Sequence, residues 1–241
     1  MNVETPRRNL TGAIVPALAV AALAGLGALM LVGGQNGDQK AASAAPIDCI
    51  LENADGVGGP IDLVDGNGAR VTQADFVGQP VVLYFGFAHC PDVCPTSMYT
   101  LAEALALPGG YDVQAVLVTV DPARDTPALM QAYAGTEGFP PGLIGLSGSI
   151  DQIDAAKRAF QVYAAPAPVE GAPAGEYNVD HSSFLYVLDG EWRTRAIVPT
   201  MRRQDGGNPA SPLTATPPET IAACIAAGLE RPATASASHN P

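Results

Sequence analysis

The chain has 241 residues, with 12 Lys+Arg against 24 Asp+Glu, a formal net charge of −12. Affinity for a phosphate backbone rests on Lys and Arg, so this balance excludes nucleic acid as a partner. Gly 26 and Pro 22 predict long loops, and four Cys suffice for one metal or redox site and one bridge, not for a disulfide scaffold.

Residues 1–10 carry Arg7 and Arg8 and read as a cytoplasmic tail. Residues 11–32 contain no charged side chain. As a helix this run reaches about 33 Å, enough to cross a hydrocarbon core. Pro16, Gly25 and Gly27 lie inside it, which a membrane helix tolerates. The positive-inside rule keeps the amino end in the cytoplasm and exports the rest. A cleaved signal peptide is the alternative, with Ala42-Ser43-Ala44 as its site. The apolar run is longer than a signal core, so the expectation is a single-pass anchor. No Arg- and Ser-rich transit peptide is present. This places the anchor in a bacterial cytoplasmic membrane and the C-terminal domain in the periplasm, where disulfides persist. Residues 33–48 are rich in Gly, Ala and Ser and predict a tether.

Residues 49–230 predict one domain. Residues 57–63 and 69–72 flank Asp65-Gly66-Asn67-Gly68, a hairpin signal. Residues 81–87 form a continuous apolar run, as in a strand covered on both faces. Residues 95–107 predict a helix with Pro95 in its first turn. A strand over 114–120, a helix over 127–134 and a short strand over 143–146 follow. Ile150, Ile153, Ala156, Phe160 and Tyr163 recur at helical spacing and predict a helix over 150–163. Residues 164–177 read as a loop, 183–188 and 192–198 as a hairpin, and 200–217 as a second loop. A helix over 218–229 precedes a low-complexity tail, 231–241, expected to be disordered. Strands alternating with helices imply an α/β fold with a central sheet flanked by helices.

Cys90-Pro91-Asp92-Val93-Cys94-Pro95 lies where a predicted strand gives way to a helix. Carboxyl ends of strands are where ligands bind in such sheets. A four-residue spacing lets both sulfurs face one side. Cys94 stands near a helix N-terminus, where free N–H groups and the dipole favour thiolate. The alternative is a structural disulfide or two unrelated thiols. Three His are present, at 89, 181 and 239. His89 is expected to point away from the sulfurs, and His239 falls in the tail. His181 stands just before a predicted strand, as a ligand or a structural hydrogen-bonder.

Residues 84–96 (Tyr84-Phe85-Gly86-Phe87-Ala88-His89-Cys90-Pro91-Asp92-Val93-Cys94-Pro95-Thr96) resemble a signature of the Sco/SenC copper-chaperone family. Residues 118–127, with Asp121-Pro122-Ala123-Arg124-Asp125, resemble the second signature, and Val179-Asp180-His181-Ser182 the third. The resemblance spans about residues 57–198 and implies a thioredoxin-like fold. It implies one copper per chain, Cu(I) or Cu(II), held by Cys90, Cys94 and His181. It also implies delivery to the binuclear copper centre of cytochrome c oxidase subunit II, directly or through its assembly factors, from a copper donor. Two thiolates and an imidazole suit Cu(I) on their own chemistry. Asp121 is a weak ligand or a support for the ligands, or else a turn residue before Pro122. Arg124 and Asp125 are expected to pair and shape their loop.

Three other readings use the same residues. A thiol-disulfide oxidoreductase normally has two residues between its cysteines and a cis-proline opposite; here there are three, and residues 179–182 hold no Pro. A peroxidase needs Thr or Ser where Pro91 stands. A copper or redox sensor would share the site unchanged. Copper transfer needs no catalysis on a substrate, so an enzyme is not implied, although the cysteine pair suits thiol-disulfide reduction. Cys49 and Cys224 fall outside the motifs and predict a structural disulfide, the alternative being that Cys224 is a small core residue. Arg193, Arg195, Arg202 and Arg203 are solvated or face an acidic partner. Motion of the 164–177 loop is expected to open or close the copper site.

Overall fold

The computed structural model describes residues 49–50, 52–109, 111–173, 175–205 and 209–232. The predicted cytoplasmic tail, membrane helix and tether lie outside the described residues, as does the tail from 233 onward. Among the described residues no helix is long and apolar enough to cross a membrane.

Strands β1 (Asp62–Val64) and β2 (Arg70–Thr72) form the first hairpin, with Leu63 opposite Val71. Asp65 closes its turn by accepting the N–H groups of Asn67 and Ala69. The hairpin is shorter than the predicted 57–63 arm. Gly58 donates its N–H to the carbonyl of Ala159 and Ile61 to the side chain of Gln73, so these residues have no ladder partner.

Strand β3 (Val81–Gly86) is buried at all six positions. It pairs in parallel with β4 and antiparallel with β8, so both edges are hydrogen-bonded. Helix α1 (Val93–Ala106) begins two residues before the predicted start. Strand β4 (Gln114–Thr119) leads to helix α2 (Pro127–Ala134), capped by Thr126, whose hydroxyl accepts the N–H of Leu129. Strand β5 (Ile144–Leu146) pairs with β4. Helix α3 (Ile150–Ala159) opens with a capping box between Ser149 and Gln152.

Helix α3 stops four residues short of Tyr163. Gln161 takes a positive φ of 54°, which breaks the helix. Phe160 instead turns inward against Phe85, Tyr186 and Trp192, while Tyr163 stays exposed.

Strands β6 (Ala164–Pro168) and β7 (Tyr177–His181) form a hairpin where the loop over 164–177 was expected. The prolines hide it. Pro166 and Pro168 have the same parity in a strand paired on one side only, so both missing N–H groups face the free edge.

Strands β8 (Phe184–Leu188) and β9 (Thr194–Pro199) complete a five-stranded mixed sheet, ordered β5-β4-β3-β8-β9. A third ribbon, β10 (Met201–Arg203) with β11 (Leu213–Ala215), lies within the second expected loop. Its base is fastened to the sheet. Thr200 donates its N–H to the carbonyl of Ser183, and Thr216 donates to that of Thr200.

Helix α4 (Pro218–Glu230) packs against α1 and along β8 and β9. The chain is therefore a mixed α/β fold with a central sheet and packed helices.

Cys49 and Cys224 form a disulfide, with Cα atoms 5.9 Å apart. Ile50 and Ile197 exchange two backbone hydrogen bonds at 2.9 Å beside it. The arginine group does not form a free patch. Arg195 is buried and donates to the carbonyls of Arg231 and Pro232 past the end of α4. Arg193 pairs with Asp189 and Glu191, and Arg203 donates to the carbonyl of Ser211.

Candidate metal centre

Cys90 and Cys94 are both free thiols, and their sulfurs lie with a His181 ring nitrogen within 4.8 Å of one another. Three separate pieces of backbone achieve this. Cys90 lies just beyond β3, Cys94 in the first turn of α1, and His181 at the end of β7. Gly86 at the end of β3 makes room for the second sulfur. A Cβ there would sit 3.2 Å from Cys94 Sγ and 2.8 Å from the Tyr84 ring.

The histidine is oriented by its other nitrogen. Nδ1 lies 2.9 Å from the carbonyl oxygen of Ser182, which can only accept, so Nδ1 carries the proton. Nε2 is left with its lone pair and faces Cys94 Sγ at 3.4 Å. A main-chain acceptor behind the imidazole is how metal-binding histidines are usually held. The edges of Tyr84 and Phe87 confine the ring, with centroids 6.2 and 5.7 Å away.

The two sulfurs are electrostatically unequal. The Cys90 thiol is pulled down to about 4, chiefly by a hydrogen bond from Cys94, with the backbone N–H groups of Asp92 and Cys94 assisting against burial. One of these donors is the N–H of Cys94, 3.3 Å from Cys90 Sγ and free because it lies in the first helical turn. Cys94 is fully buried, and its thiol is pushed well above the ordinary range by burial, then by its hydrogen bond to Cys90 and that sulfur's charge. The expectation that helix α1 makes Cys94 the thiolate is therefore corrected. Burial outweighs the helix terminus at Cys94, and the terminus acts on Cys90 instead.

A labelling prediction follows from this inequality. Near pH 6 a brief pulse of iodoacetamide modifies Cys90 before Cys94, and the Cys90 rate falls as pH drops through about 4. Peptide mass spectrometry checks the order. At neutral pH only Cys94 still holds its proton, so a metal taken up by both sulfurs releases about one proton, measurable in weak buffer.

Asp121 falls outside the ligand group. Its carbonyl accepts the N–H groups of Arg124 and Asp125, as the turn reading expects. Its carboxylate accepts from Arg124 Nε and from the Tyr177 hydroxyl at 2.9 Å. Arg124 also donates to the carbonyl of Tyr177 at 2.9 Å, and its guanidinium stacks 3.8 Å from the Tyr177 ring. The same guanidinium lies 5.9 Å from Phe87, whose ring abuts His181. Asp121 and Arg124 thus brace the hairpin that carries His181.

The expected Arg124–Asp125 ion pair does not form. Asp125 is fully buried and accepts from the N–H of Ala88, the Thr119 hydroxyl and His89 Nδ1. It ties the Cys90 loop to β4 and draws His89 away from the sulfurs. Tyr177 and Phe87 carry no signal as supporting residues in the sequence. Tyr177 stood in an expected loop and Phe87 at the end of an apolar run.

The family model described as SCO1/SenC matches residues 51–206. The mitochondrial protein SCO1 homolog 1 of Arabidopsis thaliana is 39% identical over 138 residues, 56% of this chain and 40% of that protein. Mitochondrial SCO2 of Saccharomyces cerevisiae is 38% identical over 138 residues, 56% of this chain and 45% of that one. The matches thus span less than half the length of these relatives. The structure of Bradyrhizobium japonicum ScoI with copper bound is 35% identical, with a TM-score of 0.56 over 72% of this chain and 99% of that one. Yeast Sco1 with copper bound is 34% identical, with a TM-score of 0.51 over 59% of this chain and 79% of that one. A family match over well above half of the residues, together with these likenesses, means that the chain belongs to the SCO1/SenC family.

Proposed function

We propose that this protein is a copper carrier for the assembly of cytochrome c oxidase. Cys90, Cys94 and His181 hold one copper, which passes to the thiols and imidazoles of subunit II or an assembly factor. The observation that carries this reading is the convergence of two thiols and a correctly protonated imidazole within 4.8 Å. That donor set matches the softness of Cu(I). The copper-bound Bradyrhizobium japonicum and yeast relatives support it. The proposed setting is the periplasmic face of a bacterial membrane, with residues 11–32 as the anchor.

Full-length protein, reduced and purified in detergent, is titrated with Cu(I) against a chromophoric chelator. The loaded form is then mixed with the soluble copper-binding domain of subunit II. One copper per chain followed by transfer is the expected result. No stoichiometric copper refutes the reading.

A second reading rests on the thiol pair itself. One sulfur is a thiolate and its neighbour a thiol, the arrangement that disulfide exchange uses. Rapid reduction of the acceptor's disulfide by copper-free protein would favour this reductase role.

The brace around His181 yields a further expectation. Arg124→Leu weakens copper binding by about 10- to 100-fold, the range for groups that orient metal ligands. Arg124→Lys keeps the charge but loses the forked contacts to Asp121 and Tyr177, and recovers only part. Competition titration gives the affinity, and an altered Cu(II) spectrum at similar thermal stability separates positioning from unfolding.

A further inference from the structure

Beside the metal centre lies a cavity of about 380 Å³. Cys90 and His181 line it from one side. Met201 and Leu213 line it from the β10–β11 ribbon. Cys94 does not line it and is fully buried. A metal that leaves the centre through this cavity therefore leaves from Cys90 and His181, with Cys94 behind it.

Met201 offers the one thioether among the residues lining the cavity. Its setting differs from that of Met98 and Met130, which are fully buried in the core. Met201 is only partly buried. Its backbone is held in place. Thr200, the residue before it, donates its N–H at 3.0 Å to the carbonyl of Ser183, two residues beyond His181. The hydroxyls of Thr200 and Ser183 are also hydrogen-bonded, and Ser183 contacts the Tyr84 hydroxyl at 3.0 Å. The backbone is thus fixed, while three rotatable side-chain bonds let the sulfur sweep the cavity.

Resting on the copper reading above, we propose that Met201 is a transient copper ligand on the exit path from the centre. A neutral thioether is soft enough for Cu(I) and weaker than a thiolate, so it captures the ion without trapping it. In the exchange, the bond from copper to His181 Nε2 breaks as a bond to Met201 Sδ forms, with both cysteine sulfurs still bound. Copper stays Cu(I), and no electron or proton moves. His181 keeps its Nδ1 proton on the carbonyl of Ser182. Copper then rests on Cys90, Cys94 and Met201 at the cavity, where an incoming acceptor sulfur displaces the thioether.

The test uses the full chain loaded with Cu(I). X-ray absorption of His181→Ala should show about three sulfur neighbours, because Met201 fills the place of the imidazole. Adding Met201→Leu, which preserves apolar volume, should return the count to about two. In an otherwise unaltered chain, Met201→Leu should keep one copper bound while slowing its transfer to bathocuproine disulfonate by about tenfold. Two sulfurs in His181→Ala already, or an unchanged transfer rate in Met201→Leu, overturns the proposal. Either result with copper-loaded wild type leaves the carrier reading standing. A wild type that holds no copper refutes both.

Discussion

Replacing Cys94 with Ala should abolish stoichiometric copper binding, and the loss should exceed the removal of one ligand. Cys94 contributes its own sulfur and also the hydrogen bond that most lowers the Cys90 thiol. Without it, Cys90 rises toward the ordinary thiol range and is mostly protonated at neutral pH. One substitution therefore takes away one thiolate donor and weakens the second. Cys90→Ala removes the sulfur that faces the cavity and leaves Cys94 buried. We expect each cysteine variant to lose more than about 100-fold in Cu(I) affinity, the upper end of what supporting groups cost. Loss of His181 leaves both sulfurs, so His181→Ala should retain copper with lower affinity. Chelator competition measures all three variants. Sulfur-to-Cu(II) absorption should vanish in the cysteine variants and shift in the histidine variant. Cysteine variants that keep wild-type affinity would refute the assignment of the centre.

Joint replacement of Cys49 and Cys224 by Ala should lower unfolding stability by about 2–5 kcal/mol. The disulfide joins residues 175 apart in sequence. In the chain-entropy model a loop of that length contributes about 5 kcal/mol, chiefly by restricting the unfolded chain. It also holds the segment that pairs Ile50 with Ile197 against β9 and α4. Neither cysteine belongs to the metal group. Copper stoichiometry should therefore survive while the denaturation midpoint falls. Urea unfolding of the oxidised wild type and the double variant, with copper counted on each folded form, checks both halves. Equal midpoints would show that the bridge contributes no stability.

How much was legible in advance depended on how local each cause was. The buried strand at Val81–Gly86 announces itself through consecutive apolar residues, since both faces of β3 are covered. Helix α2 matches its expected span because Thr126 and Pro127 mark its start by short-range chemistry. The β6–β7 hairpin was invisible because its prolines argue against a strand unless one knows which edge is free. Helix α3 ran too long in expectation because Phe160 and Tyr163 kept the helical spacing, while tertiary packing drew Phe160 into an aromatic cluster.

The same division runs through the candidate site. The motifs around Cys90, Asp121 and His181 carried the resemblance that implied the copper ligand set, whereas the cysteine spacing alone left a structural disulfide open. The sequence by itself determined the acidic character and the family resemblance, both properties of residue identity and order. Tertiary structure decided which sulfur is ionised, because Cys94 is buried only once the elements pack, while the hydrogen bonds that lower Cys90 come chiefly from its own turn. It also replaced the expected Arg124–Asp125 pair with Arg124 on Asp121 and Tyr177, and opened Cys90 and His181 toward Met201. Arg124 and Asp121 are only three positions apart, but Arg124 and Tyr177 are 53 apart, and the contact energies depend on distance and solvent exposure, which exist only once the chain has folded.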